Sequence, residues 1–154
     1  MQTTIRELMK VGGRKVYSVT TDSTVHDALK LMAERRIGAV LVVDAGGKLS
    51  GIFSERDYAR KSVEWDSIPG DTPVSDLMTA ELVTIDPDNT VQECMEMVTR
   101  LRIRHLPVLD EGKLLGMVSI GDLVKAALAE KEALIDEKQS LIDKLEGYIS
   151  GSMS

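Results

Sequence analysis

"GIFSERD" (Gly51–Asp57) and "GMVSIGD" (Gly116–Asp122) stand far apart in the chain and share one skeleton: glycine, two apolar residues, serine, two variable residues, aspartate. The match extends outward from both. Tyr17–Gly46 sets against Val83–Gly112, and Lys48–Lys61 against Lys113–Ala126, with a single gap at Gly47. Thirteen of the 44 aligned positions are identical and most others exchange like for like, so the chain is an internal duplication. Duplication at this scale predicts two copies of one supersecondary unit.

Each copy reads in the same order. A short β-rich segment comes first, "KVYSV" (Lys15–Val19) or "LVTI" (Leu82–Ile85). A helix follows whose apolar residues fall at Val25, Ala28, Leu29 and Met32, matched by Val91, Cys94, Met95 and Val98. That spacing marks one face of an amphipathic helix. Thr24-x-x-Asp27 and Thr90-x-x-Glu93 spell capping boxes at the helix starts. Apolar runs "AVLVVD" and "HLPVLD", a turn with "AGGK" or "EGK", and a second strand "LSGIFS" or "LLGMVS" come next. A second helix opens at "SERDYARK" or "SIGDLVKA".

The expected fold class is therefore α+β: two β-α-β-β-α repeats packed sheet to sheet with pseudo-twofold symmetry, plus a long C-terminal helix. The expected division is 1–61 for the first repeat, 62–73 for a linker, 74–128 for the second repeat and 129–150 for a helical extension. "SVEWDSIPGDTPVSD" (Ser62–Asp76) reads as the crossing, with two prolines, a glycine and no helical period. Trp65 within it is a packing anchor or a partner-facing residue.

Bulk composition narrows the function. The 154 residues are 43% hydrophobic and 29% charged, which suits a folded globular chain. The net charge of −6 argues against a general nucleic-acid binder, which needs cations to displace counterions. Five aromatic residues are too few for base-stacking platforms. Neither a membrane span nor the apolar centre of a signal peptide is legible. The single Cys94 has no internal disulfide partner, which fits a reducing cytoplasm. Its place on the apolar stripe favours a buried small hydrophobe over a nucleophile.

Ser54-x-x-Asp57 and Ser119-x-x-Asp122 are capping-box spellings in their own right. The same geometry also suits a ligand. A strand ending at a helix N-terminus offers amides and a hydroxyl to an anion, and a carboxylate one turn on can accept two sugar hydroxyls. Phosphate plus ribose implies a nucleotide. Arg100, Arg102, Arg104 and His105 form a basic cluster where the second repeat's helix gives way to its strand, and the first repeat has Gly38 and Ala39 in place of the last two. Arg56 and Arg60 add charge beside the first Ser-x-x-Asp, near the other candidate site. Arginine suits bidentate phosphate contact. As plain structure, the cluster complements a helix C-terminus and His105 is a core histidine.

With "IRELM" (Ile5–Met9) and "VSDLM" (Val74–Met78) opening the repeats and "RIRHLPVLD" preceding "GKLLGMVSIGDL", the chain resembles a tandem pair of cystathionine-β-synthase (CBS) domains, a Bateman module, over about Ile5 to Leu128. It resembles bacterial stand-alone CBS pairs further in "SERDYARK", "RIRHLPV", "SIGDLVKA" and an "LE-x-YI" element at Leu145–Ile149. The resemblance implies a non-catalytic sensor that binds AMP or NAD between its repeats, with ATP, ADP and S-adenosylmethionine ranked behind them. It implies phosphate contacts from Ser54, Ser119, Arg104, His105 and Arg56. Asp57 and Asp122 would take the ribose, and main chain at Tyr17, Ser18, Val83 or Thr84 the adenine. Departure from the pattern at Gly38-Ala39 leaves the first site with less basic support. "VGGRK" (Val11–Lys15) either accommodates the second half of a dinucleotide or is a longer turn.

From Asp122 to Ile149 the chain has no proline and no glycine before Gly147. Leu128, Ile135, Ile142 and Ile149 recur every seven residues beside Leu134, Leu141 and Tyr148, while Lys131 and Lys138 interrupt the other seam position. This stripe packs on its own module, pairs with a second subunit or docks a client protein. The family's dimers imply a homodimer. His26 and His105 are the only histidines, and no clustered metal ligands or Ser-His-Asp set are legible, so the expected catalytic and metal residues are none. The rival reading is an adaptor that keeps the fold and has lost the ligand.

Overall fold

The computed structural model describes residues 2–10 and 16–153, the last four of them as backbone only. The elements run α1 (Ile5–Lys10), β1 (Ser18–Thr20), α2 (Val25–Arg35), β2 (Ala39–Val43), β3 (Leu49–Ser54), α3 (Glu55–Glu64), α4 (Val91–Leu101), β4 (His105–Asp110), β5 (Lys113–Ser119) and α5 (Ile120–Met153), with a 3₁₀ turn at Val74–Asp76. The duplication is visible in the order of elements. Part of the "KVYSV" segment and all of "VGGRK" lie outside the described residues.

Local chemistry sets the helix ends. Thr24 lies in extended backbone and its Oγ accepts the Asp27 N–H at 3.0 Å, while Thr90 does the same for Glu93 at 3.1 Å. Each bond satisfies one of the open donors of a first turn. Both helices stop the same way. Arg36 and Arg102 turn left-handed, at φ 55° and 53°, and return their N–H groups to Met32 and Val98. The third helix, α3, runs on to Glu64, into the stretch read as linker, and Trp65 closes it with 41% of its surface exposed.

β1 pairs parallel with β2, which pairs antiparallel with β3, and β4 pairs antiparallel with β5. The first repeat keeps its leading strand because the Leu41 N–H reaches Tyr17 O at 3.2 Å. Position 41 corresponds to Pro107 in the second repeat, and proline has no N–H to give. There the expected strand Leu82–Ile85 shrinks to one parallel bridge, Ile85 with Val108. Ile85 donates to Pro107 O and accepts from Leu109 N, each at 3.0 Å.

Alternation along the strands builds three cores. Val40, Val42 and Phe53 face inward with Val25, Ala28 and Met32 of α2. Leu106, Val108 and Val118 pack likewise with Val91, Cys94 and Val98 of α4. The opposite faces, Ala39, Leu41 and Ile52 against Leu82, Leu114 and Met117, meet each other. This is the sheet-to-sheet packing expected of two half-covered units.

The segments leading into the repeats are exchanged. Ile5 and Leu8 of α1 belong to the second repeat's core, and Val74 and Leu77 to the first's. Main chain stitches them in place: Ile5 N to Asn89 O at 2.9 Å, Val91 N to Thr3 O at 2.8 Å, and Val74 N to Ser23 O at 2.8 Å. Exchange explains the glycine that heads both signature stretches. A Cβ at Gly51 would lie 2.7 Å from Met78 Sδ and 2.8 Å from Thr79 O, and one at Gly116 would lie 2.7 Å from Met9 Cε. Each glycine makes room for the methionine of a crossing segment.

α5 is continuous from the second repeat into the tail. Glu130 Oε1 accepts the Thr3 N–H at 2.6 Å, and beyond it Leu134, Ile135, Leu141, Ile142 and Leu145 are each about half exposed. Leu134 and Glu137 still border a cavity with Gln2, Thr3 and Gln92, and beyond them the apolar stripe is left about half open.

Candidate functional site

Both Ser-x-x-Asp stretches sit where a strand ends and a helix begins, and both form the boxes their spelling predicts. Asp57 Oδ2 accepts the Ser54 N–H at 2.9 Å while Ser54 Oγ accepts the Asp57 N–H at 3.2 Å. Asp122 Oδ2 and Ser119 repeat this at 2.8 and 3.2 Å. Ser54 Oγ also donates to Asp57 Oδ2 at 2.9 Å, and Thr79 Oγ1 donates to Asp57 Oδ1 at 2.9 Å. The capping reading is thus present in the fold. It does not compete with a binding role, because each box also lines a cleft.

The clefts are built crosswise. One, of about 320 Å³, takes Ser54, Asp57, Arg56 and Arg60 from the first repeat and Val83, Arg102, Arg104 and His105 from the second. The other, of about 480 Å³, takes Ser119 and Asp122 from the second repeat and Tyr17, Arg36, Gly38 and Ala39 from the first. Sheet-to-sheet packing about a pseudo-twofold axis dictates this. The end of each hairpin is brought against the helix–strand junction of the other repeat. Both volumes fall in the range of small-ligand sites.

This corrects the expected pairing of charges. The sequence reading put the Arg104 cluster at one site and Arg56 with Arg60 at the other, yet all of these residues but Arg100 converge on the Asp57 cleft. Of Gly38-Ala39, read as a weakness of the first site, Ala39 lines the Asp122 cleft and Gly38 lines both clefts. Arg100 lies apart, beside Gln92 and Glu96 on α4. Among the described residues, the Asp57 cleft holds four arginines against Glu55, Asp57 and Glu81, a local cationic excess in a chain of net charge −6. Guanidinium groups at such a mouth draw anions and bind phosphate in pairs of bonds.

Of the main-chain positions expected near adenine, Tyr17 and Val83 line the clefts, while Ser18 and Thr84 are not among the described lining residues. Arg35 stacks over the Tyr17 ring at 5.4 Å. The sequence reading missed Thr79 and Arg36. Thr79 follows Met78 in a crossing segment whose destination nothing in the spelling reveals. Arg36 could have been found as the counterpart of Arg102.

His105 is half-buried on β4, its Cα in register with Ser119. Burial lowers its pKa below the ordinary imidazole value, helped by the Arg104 charge, while the Asp122 and Asp57 carboxylates pull the other way. Cys94 is buried as expected, and burial pushes its thiol up to about 11, a poor nucleophile. His26 is exposed. Among the described residues no group of three or more potential ligands could hold a metal ion, and no helix is long and apolar enough to cross a membrane.

The architecture is matched by known proteins. The model of the CBS domain matches residues 5–64 and 74–129. The chain is 39% identical over 157 residues to "CBS domain-containing protein CBSX3, mitochondrial" of Arabidopsis thaliana, covering 97% of this chain and 73% of that one. A solved protein with CBS domains from Burkholderia ambifaria is 48% identical with a TM-score of 0.77, over 82% of this chain and 95% of that one. CBSX2, solved in complex with AMP, is 26% identical with a TM-score of 0.68, over 84% and 98% of the two chains. On both the sequence match and the shared fold, the chain belongs to the CBS domain family as a tandem pair.

Proposed function

We propose that the protein is an adenine-nucleotide sensor in which AMP binds the Asp57 cleft. The observation that carries this reading is the convergence of four arginines and a helix N-terminus on one carboxylate-bearing cleft. In it, Asp57 takes the ribose hydroxyls, and Ser54, Arg56, Arg104 and His105 surround the phosphate. Main chain at Val83 faces the adenine. Ser119 and Asp122 play the equivalent parts in the second cleft, opposite Tyr17. A relative of the same fold, CBSX2, was solved with AMP. The smaller cleft suits a mononucleotide, so AMP stands ahead of NAD, and S-adenosylmethionine lacks the phosphate that the arginines address.

The nucleotide is held and not transformed: both carboxylates are engaged as helix caps and ribose acceptors, which leaves neither poised as a general base. A second copy of the chain covers the exposed tail stripe, making a homodimer whose shape reports occupancy to a client.

Calorimetric titration with AMP, ADP, ATP, NAD, NADH and S-adenosylmethionine tests the reading. AMP is expected to bind, and S-adenosylmethionine to bind more weakly. Absence of binding by every adenine compound would favour the adaptor reading, and appearance of a new product by mass spectrometry would favour an enzyme.

A further inference from the structure

The two clefts share a wall. Gly38 and His105 line both of them, one just before β2 and the other opening β4. The charges of Arg104, of Asp122 on α5 and of Asp57 on α3 act on the imidazole, and Glu55 on α3 and Arg36 at the end of α2 line the clefts it borders. The ring is the side chain between two sites that each bind a phosphate in the reading proposed above, on which this inference rests.

We infer that His105 is a partition common to both nucleotide sites, through which a nucleotide in one cleft weakens binding in the other. A neutral imidazole carries a single N–H, and its other nitrogen is an acceptor. Half-buried next to Arg104, His105 has its pKa held below the ordinary imidazole value, which favours the neutral ring at pH 7.5 before a ligand enters. The first phosphate takes that one donor. A second phosphate then meets a lone pair, with another anion across the width of one ring where little water screens it. Glycine at position 38 contributes no side chain to separate the two charges.

The same geometry names the change that relieves the coupling. Position 38 corresponds to Arg104 in the duplication. A Cβ there would meet nothing closer than Glu55 Oε2 at 3.9 Å, so a side chain can leave the backbone at the partition without a clash, and an arginine would begin beside a carboxylate.

The experiment is a linkage cycle with AMP at pH 7.5, read by calorimetry and by native mass spectrometry of the bound count. Asp122→Ala and Asp57→Ala give each cleft's affinity with the other disabled, and the wild type gives both steps together. The second wild-type step is expected to be about tenfold weaker than the isolated affinity of the same cleft, a usual size for coupled sites. Gly38→Arg should bring that ratio toward one, and His105→Ala, which removes the contested donor but leaves the two anions facing each other, should change it by a smaller factor. A wild type that takes one AMP while either variant takes two supports the same conclusion in its extreme form. Equal, independent wild-type sites would overturn the inference and leave the functional reading standing. So would a ratio that neither variant changes, or a single AMP bound by the wild type and both variants. No AMP bound by the wild type would overturn both.

Discussion

Ile5→Ala is expected to lower unfolding stability by about 2–5 kcal/mol, the usual loss for deleting a fully buried aliphatic side chain. A substitution so near a chain end ordinarily costs almost nothing, because terminal residues tend to be poorly anchored. Here Ile5 is 0% exposed and packs among Val91, Cys94, Leu106 and Leu123. Its N–H is also bound to Asn89 O. The lost side chain therefore leaves a cavity in the core of the second repeat, far along the chain from the substitution. Urea unfolding followed by far-ultraviolet circular dichroism checks it. A change within about 0.5 kcal/mol of zero, the range of ordinary surface substitutions, would mean that the lead-in segments are not exchanged as described.

Asp57→Ala is expected to weaken AMP binding about 100-fold. Hydrogen bonds to a charged acceptor contribute about 1.5–3 kcal/mol each, and a ribose diol makes two. A factor of ten in affinity corresponds to about 1.4 kcal/mol. The substitution also removes a capping box, for which a loss of about 0.5–2 kcal/mol of stability is expected. The stability effect is isolated in Thr24→Ala, which removes the equivalent hydroxyl cap of α2 and borders neither cleft. That variant should lose comparable stability and keep wild-type affinity. Calorimetry well below each variant's melting temperature makes the comparison. An Asp57→Ala affinity within threefold of wild type would reduce Asp57 to a cap.

Much of the fold was legible because duplication prints each signal twice. Thr24 and Thr90, Val25 and Val91, Ser54 and Ser119 each support the other's assignment, and both expected hairpins form where "AGGK" and "EGK" placed them. Pro107 was also in plain view, and its missing N–H shortens the second leading strand to a bridge. What was hidden is long-range. Which repeat receives Ile5 or Val74 depends on how the sheets pack, and no local spacing encodes that.

The site follows the same division. Its residue types and the strand-to-helix position of each Ser-x-x-Asp were readable, because caps are local. Their partners were not. Arg104 reaches the Asp57 cleft only because the pseudo-twofold axis crosses the repeats, so charges read as belonging to two sites meet in one. Thr79 is a further case, bonded to Asp57 across 22 residues of sequence. The tail gave its periodicity but not its cover.

Where AMP lands is the most direct test of the crossed Asp57 cleft. Amide chemical shifts of the isotope-labelled wild type, recorded as AMP is added, locate it residue by residue. The largest changes are predicted at Ser54–Asp57, Val83 and Arg102–His105, the elements that only the crossed packing brings together. Saturation with AMP that left those amides in place, or moved only the outer face of α4, would contradict it.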